Sequence, residues 1–128
     1  MKLNHCKETV RYYAEKYEKL FCKNIQVRYE FVENKSDFAM ITQTHYPYEY
    51  AIITVYYQEL SVYNLLECLI HEYVHVSSFE IDLMFYFLDE KTKEIFKCLV
   101  ERTTISITKT FMELIEPKKE IEILEEKK

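Results

Sequence analysis

Glycine is absent from this sequence of 128 residues. Phosphate-binding loops depend on glycine, because only a residue without a Cβ atom lets the backbone approach the phosphate closely. The nucleotide-binding folds that are built on such loops are therefore excluded. The sequence also lacks a run of about eighteen apolar residues, which a membrane-spanning helix requires, so we expect neither a membrane span nor a membrane partner.

We expect no secretory signal, and the cysteines show no paired spacing. Residues 1–8 contain no apolar segment of the kind found in secretory signals. The 4 cysteines form no CxxC pair, so we expect reduced thiols in a cytoplasmic protein. The formal net charge of −5 argues against nucleic acid as a partner, because nucleic-acid binding normally requires a basic face.

The sequence does contain enough apolar material for a globular domain. Hydrophobic residues make up 48% of the chain and aromatic residues 16%. A chain of this length buries about two-thirds of its unfolded surface, so we expect a single domain over residues 1–116. Residues 117–128 are mostly lysine and glutamate, a composition that is typical of a charged, mobile tail.

Changes in the period of the apolar residues predict an α+β fold. Intervals of three and four residues indicate amphipathic helices, and strict alternation indicates half-buried strands. The predicted elements follow one another in this order: a helix at 3–22, strands at 25–31, 38–43 and 51–57, and helices at 61–77 and 92–115.

One segment in the predicted helix 61–77 indicates a metal site: His71-Glu72-Tyr73-Val74-His75. Histidines four residues apart lie on consecutive turns of a helix, about 6 Å apart along its axis, so both rings can reach one metal ion. Glu72 lies beside this pair, where it can accept a proton from a metal-bound water.

The placement of the two histidines on their helix supports the metal interpretation. The apolar residues of this helix share a stripe about 100° wide that should pack on the core. They are Val62, Leu65, Leu66, Leu69, Tyr73 and Val76. His71 and His75 project from nearly the opposite side, with Glu72 at the boundary. The alternative is a pair of ordinary packed or solvated histidines, which would not require this arrangement.

The segment resembles the HExxH motif of zinc metallopeptidases, the zincins, in which the glutamate is the general base. The glycine-containing long motif of metzincins is excluded by composition. The chain looks most like the gluzincin class, in which a glutamate on the next helix completes the site. The resemblance covers His71, Glu72, His75 and that next helix. It implies a minimal zincin-like domain with Zn²⁺ as cofactor, similar to small zincin-like proteins of bacteria, phages and mobile elements.

The resemblance makes Glu101 the preferred third zinc ligand. On the predicted helix 92–115, Glu94 and Glu101 lie two turns apart on nearly one face, and Glu101 is flanked by apolar and small residues. Known gluzincins often carry an aspartate four residues after the ligand glutamate, whereas this chain has Ile105 there. The other candidates stay open, with the carboxylates preferred over the histidines: Glu94, Asp82, Glu80, His5 and His45. Cys68 is one turn before His71, but a third ligand on the same helix would crowd the ion, so we expect Cys68 to pack beside the site or in the core.

The resemblance implies a zinc-dependent peptidase in which Glu72 takes a proton from water and passes it to the leaving amine. Tyr46, Tyr48 and Tyr50 are candidates for stabilising the oxyanion. An edge strand beside the metal helix could hold an extended peptide by strand addition.

The expected substrate is a protein or peptide, and more specifically a restricted intracellular protein target. Two alternatives remain. One is a catalytically silent zincin-shaped protein with a binding or regulatory role. The other is a zinc hydrolase of a small non-peptide amide. The sequence does not indicate an oligomeric state.

Overall fold

A computed structural model of the chain describes residues 1–33, 36–45, 50–78 and 87–115. These residues form an α+β fold in the predicted order, so the predicted fold class is confirmed. The elements are α1 (Leu3–Tyr13), a π-helical segment (Ala14–Glu18), α2 (Lys19–Phe21), β1 (Gln26–Val32), β2 (Met40–His45), β3 (Tyr50–Tyr56), a 3₁₀ turn (Tyr57–Glu59), α3 (Val62–Ser77) and α4 (Glu90–Leu114). The predicted tail, residues 117–128, lies outside the described residues.

The amino-terminal helical region differs from the prediction at its end. The spacing of apolar residues predicts that Leu20 lies on the buried side of the predicted helix 3–22. In the structure, however, Leu20 is 59% exposed. The π-helical segment Ala14–Glu18 explains the difference, because an inserted residue rotates the following side chains by about 100° around the axis. Phe21 turns inward in place of Leu20 and stacks with Tyr73, their ring centroids 6.3 Å apart.

The sheet is mixed, with the strand order β1-β3-β2. β1 runs parallel to β3, and β2 runs antiparallel to it. Ala51, Ile53 and Val55 on the central strand β3 are fully buried, as the β-branched and apolar composition of this strand predicts. Within the described residues β2 is an edge strand of this sheet, and it packs against α3.

Helix α3 begins and packs as its sequence predicts. Ser61 is the N-cap, and its backbone N–H donates to Asn64 Oδ1 at 2.8 Å as part of a capping box. All six residues of the predicted apolar stripe are buried. The opposite side of α3, which carries His71 and His75, faces α4 and the groove described below.

A partly buried chain of hydrogen bonds joins α3 to β1 and to the π-helical segment. Tyr29 on β1 donates to Glu18 Oε1, and its oxygen lies 2.6 Å from the hydroxyl oxygen of Tyr73. Since the Tyr29 hydrogen is used by Glu18, Tyr73 is the donor to Tyr29. These hydrogen bonds give the Tyr73 hydroxyl a partner, which it needs because Tyr73 is fully buried.

Helix α4 begins at Asp89, whose side chain accepts a hydrogen bond from the Thr92 N–H at 2.8 Å. Most of this helix is exposed, and Thr104 and Thr108 are its only buried residues. Near its carboxyl end, Phe111 packs edge-on against the rings of Tyr17 and Phe21. None of the described helices combines the length and apolarity that crossing a membrane requires.

The buried stripe of α3 should dominate stability. Leu69→Ala removes a fully buried side chain, and we expect it to lower the free energy of unfolding by about 2–5 kcal/mol through lost burial and the cavity that remains. Leu20→Ala is the matched control, since Leu20 is exposed, and its effect should stay within about 0.5 kcal/mol. Urea denaturation followed by circular dichroism measures both. Equal losses in the two variants would contradict the described turn of Leu20 towards solvent.

Candidate metal centre

Three side chains from two helices converge on one point. His71 Nε2 lies 2.9 Å from Glu101 Oε1, and His75 Nε2 lies 3.1 Å from Glu101 Oε2. The two Nε2 atoms are 3.2 Å apart. The ligand atoms of these three residues all lie within 4.8 Å of one another, close enough to hold a single metal ion.

The spacing of these atoms fits a small divalent ion. Nitrogen and oxygen ligands bind such an ion at about 2.0–2.2 Å, which separates the ligand atoms of a tetrahedral site by about 3.3–3.6 Å. The observed separations of 2.9, 3.1 and 3.2 Å are slightly shorter. A small outward shift of the side chains would admit the ion, and three ligands leave a fourth position for water.

Burial favours the neutral form of His71. It lowers the pKa of His71, while the nearby Glu101 carboxylate acts in the opposite direction and His75 lowers it further. The Nε2 atoms of the two histidines lie within hydrogen-bonding distance of the two oxygens of Glu101. Metal binding requires the Nε2 lone pairs, so the proton of each ring must then reside on Nδ1.

Glu101 reaches the histidines because α4 packs along α3. The side chain of Glu101 is half exposed, and those of the two histidines are each 24% exposed. One side of the convergence point is thus closed by protein and the other remains accessible to water or a substrate. Sequence reasoning had placed Glu101 in this role, and the structure brings it to both histidines.

Glu94, His45 and His5, three of the competing ligand candidates, do not belong to this cluster. Glu94 is 70% exposed and its carboxylate lies 4.0 Å from the Lys97 ammonium. His45 stacks on Tyr50 at the sheet edge, with ring centroids 4.6 Å apart, and His5 lies on α1. Among the residues that the structure describes, the only ligand cluster is His71, His75 and Glu101. The remaining candidates, Glu80 and Asp82, lie outside the described residues.

Cys68 lies in the groove but is poorly suited to bind a metal. It is one turn before His71 on α3, and it also packs against the core. Burial, with a smaller contribution from the carboxylates of Glu67 and Glu72, raises the pKa of its thiol to about 11. Since the thiolate is the form that binds metals, this cysteine is a neutral wall residue, in agreement with the packing role that the sequence suggested.

Glu72 lies beside the convergence point without belonging to the ligand cluster. Only 7% of the residue is exposed, and its Oε2 accepts a hydrogen bond of 3.1 Å from the Thr42 hydroxyl on β2. Burial raises the pKa of Glu72 to about 7; the Thr42 hydrogen bond opposes this rise and the Glu101 charge adds to it. A carboxylate with a pKa near neutrality can both accept and return a proton.

A groove of about 590 Å³ runs past these residues. One wall is the edge strand β2 with the residues that precede it, and the other walls are α3 and α4. Its lining residues are Phe38, Ala39, Met40, Ile41, Thr42, Asn64, Glu67, Cys68, His71, Glu72, His75, Glu101, Ile105 and Thr108. The groove, rather than any single motif residue, defines what can approach the metal centre.

Of the three tyrosines suggested as oxyanion donors, only Tyr50 is among the described residues, and it lies away from this groove. The ring of Tyr50 stacks on His45, and the Arg28 guanidinium lies over it at 4.2 Å from the centroid. Tyr50 is not among the residues that line the groove, while Tyr46 and Tyr48 lie outside the described residues. An oxyanion donor is therefore not assigned to Tyr50.

Two groove residues were missed by sequence reasoning. Thr42 was assigned to a strand without a role, because the pairing of β2 beside α3 is a long-range property. Glu67 precedes His71 by one helical turn, so the helical spacing that identified the motif could have identified it as a neighbour of the metal centre.

Substitution of the proposed ligands should strongly weaken metal binding. We expect His71→Ala and Glu101→Gln to weaken zinc binding by more than about 100-fold, since replacing groups that only support a ligand already costs 10–100-fold. Glu94→Gln is the matched control, a second exposed glutamate of α4 outside the cluster. Titration with zinc against a competing chelator measures the affinities. Wild-type affinity in Glu101→Gln would remove Glu101 from the ligand set.

Known proteins offer no direct comparison for this site. The chain matches no protein-family model, no curated protein and no solved structure. What the site can do is therefore argued from the geometry of its own residues.

Proposed function

We propose that this protein is a zinc-dependent metallopeptidase. The observation that carries the proposal is the convergence of His71, His75 and Glu101 with a buried glutamate, Glu72, immediately beside them. Structural metal sites close all positions around the ion, whereas catalytic sites provide three protein ligands and keep one position open. The half-exposed Glu101 leaves such an opening.

The donor set, together with its HExxH spacing and the adjacent Glu72, supports zinc. Two imidazole nitrogens and one carboxylate oxygen form a set that catalytic zinc sites use, whereas magnesium and calcium sites are built from oxygen ligands alone. When bound, zinc would polarise a substrate carbonyl and lower the pKa of a water in the open position towards about 7.

Glu72 has the position and surroundings of a general base. Its carboxylate is buried, and Thr42 holds one oxygen in place, so the other oxygen is free to face the open position. In the proposed reaction Glu72 accepts the proton of the attacking water and then donates it to the departing amine. The same buried carboxylate performs both transfers, which its raised pKa favours.

The edge strand supports a peptide as the substrate. β2 pairs with β3 along one side only within the described residues. Its other edge lies along the groove, where residues 38–42 form the wall. An extended peptide could add to this edge through backbone hydrogen bonds, which would place its carbonyl groups beside the metal centre. A small amide would make no use of such an edge.

Removal of the base tests the proposal. We expect Glu72→Gln to lower kcat for peptide hydrolysis by about 10²–10⁴-fold, since the amide cannot accept the proton. Zinc content should remain near that of the wild type, because Glu72 is not in the ligand cluster. Cleavage of a mixed peptide library, read by mass spectrometry, measures the effect. If neither the zinc-loaded wild type nor Glu72→Gln cleaves any peptide, the peptidase proposal is rejected. The two alternatives are then a catalytically silent binding protein and a hydrolase of a small amide.

The Thr42 hydroxyl should contribute through its contact with Glu72. Thr42→Val keeps the shape of the side chain and removes the hydrogen bond, and we expect kcat/KM to fall about tenfold, equivalent to about 1.4 kcal/mol. Thr44→Val is the matched control on the same strand, since Thr44 does not line the groove. A similar loss in both variants would assign the effect to the strand and not to the hydrogen bond.

A further inference from the structure

Glu67 is a carboxylate in the groove that neither the ligand set nor the general base uses. It lines the groove from α3, one helical turn before His71. Within the described residues Glu67 is exposed and makes no ion pair.

Much of the groove wall is apolar. Phe38, Met40 and Ile41 line the side formed by β2, and Ile105 lines the side formed by α4. Asn64, three residues before Glu67 on α3, uses its Oδ1 to accept the Ser61 N–H. Glu67 has no such partner among the described residues, so its carboxylate is available to a ligand in the groove.

The balance of charge in the groove is negative. Among the described residues, its lining contains Glu67, Glu72 and Glu101, and no lysine or arginine. A bound divalent ion would offset the charge of Glu101 in the ligand cluster, whereas Glu67 lies outside that cluster and keeps its own negative charge. This field attracts a positively charged ligand and repels an acidic one.

We propose that Glu67 makes the groove selective for peptides that carry lysine or arginine next to the cleaved bond. The inference rests on the proposed peptidase function and names its substrate class. Lysine and arginine combine an apolar stem with a charged end, which matches an apolar wall that leads to one carboxylate. Glu67 lies about 6 Å along the helix axis from His71. The basic residue is therefore within about two positions of the cleaved bond, at about 3.3 Å per residue.

Peptide binding tests this without requiring turnover. The full chain carrying Glu72→Gln is loaded with zinc and titrated with fluorescent peptides that differ at one position, which is lysine, methionine or glutamate. Fluorescence anisotropy gives each Kd. We expect the lysine peptide to bind about threefold to fivefold more tightly than the methionine peptide, the size of an exposed ion pair. The difference should shrink at high salt, because salt screens exposed charges.

Two further substitutions decide the role of Glu67. In the Glu72→Gln background, Glu67→Gln should reduce the ratio of the lysine and methionine affinities to about one, and Glu67→Lys should favour the glutamate peptide. Glu94→Gln is the control, because Glu94 is an exposed glutamate that does not line the groove. A lysine preference that survives Glu67→Gln, or that Glu94→Gln also removes, would overturn the inference.

The outcomes separate this inference from the proposed function. A Glu67-dependent preference in binding, together with no cleavage by the wild type, would support the groove specificity and reject the peptidase. Cleavage that depends on Glu72 but shows no difference between the three peptides would support the peptidase and reject the role of Glu67. Binding of none of the peptides would also reject it.

Discussion

The contact of Glu101 with both histidines is the interaction on which the site depends. It joins α4 to α3 at the middle of α4, a helix whose only fully covered side chains are two threonines. Near its carboxyl end, α4 also packs through Phe111 against the amino-terminal region. A metal ion bound by these three side chains would replace a pair of exposed hydrogen bonds with three coordinate bonds, and would thus couple metal binding to the docking of α4.

The edge strand β2 connects several properties of the site. By lying over α3 it buries Glu72, and the same strand supplies the Thr42 hydroxyl that holds the carboxylate. It also forms one wall of the groove. The basicity of Glu72, its orientation and the route of a substrate are therefore set by a single packing arrangement. A displacement of β2 would change all three together.

The parts of the fold that could be predicted from the sequence are those that local periodicity determines. The stripe of α3, the alternation of β1 and the extent of α4 follow from residues close in the chain, and the structure has them as predicted. The exposure of the Leu20 side chain could not be predicted, because a π-helical insertion leaves no periodic signal in the sequence. The Thr42 contact depends on which strand lies beside α3, and strand order is decided by long-range packing. Glu101 was accessible through resemblance, whereas periodicity alone left Glu94 equally placed.

The chain of hydrogen bonds from Tyr73 through Tyr29 to Glu18 affects how α3 orients its two histidines. Tyr73 lies inside the motif but on the opposite side of α3 from the two imidazoles. A rotation of α3 about its own axis that carried an imidazole away from Glu101 would also carry the Tyr73 hydroxyl away from Tyr29. That hydroxyl would then be buried without a partner, at a cost of about 1–3 kcal/mol. These hydrogen bonds thus oppose rotation of α3 about its axis, and they fix the direction in which its histidines point.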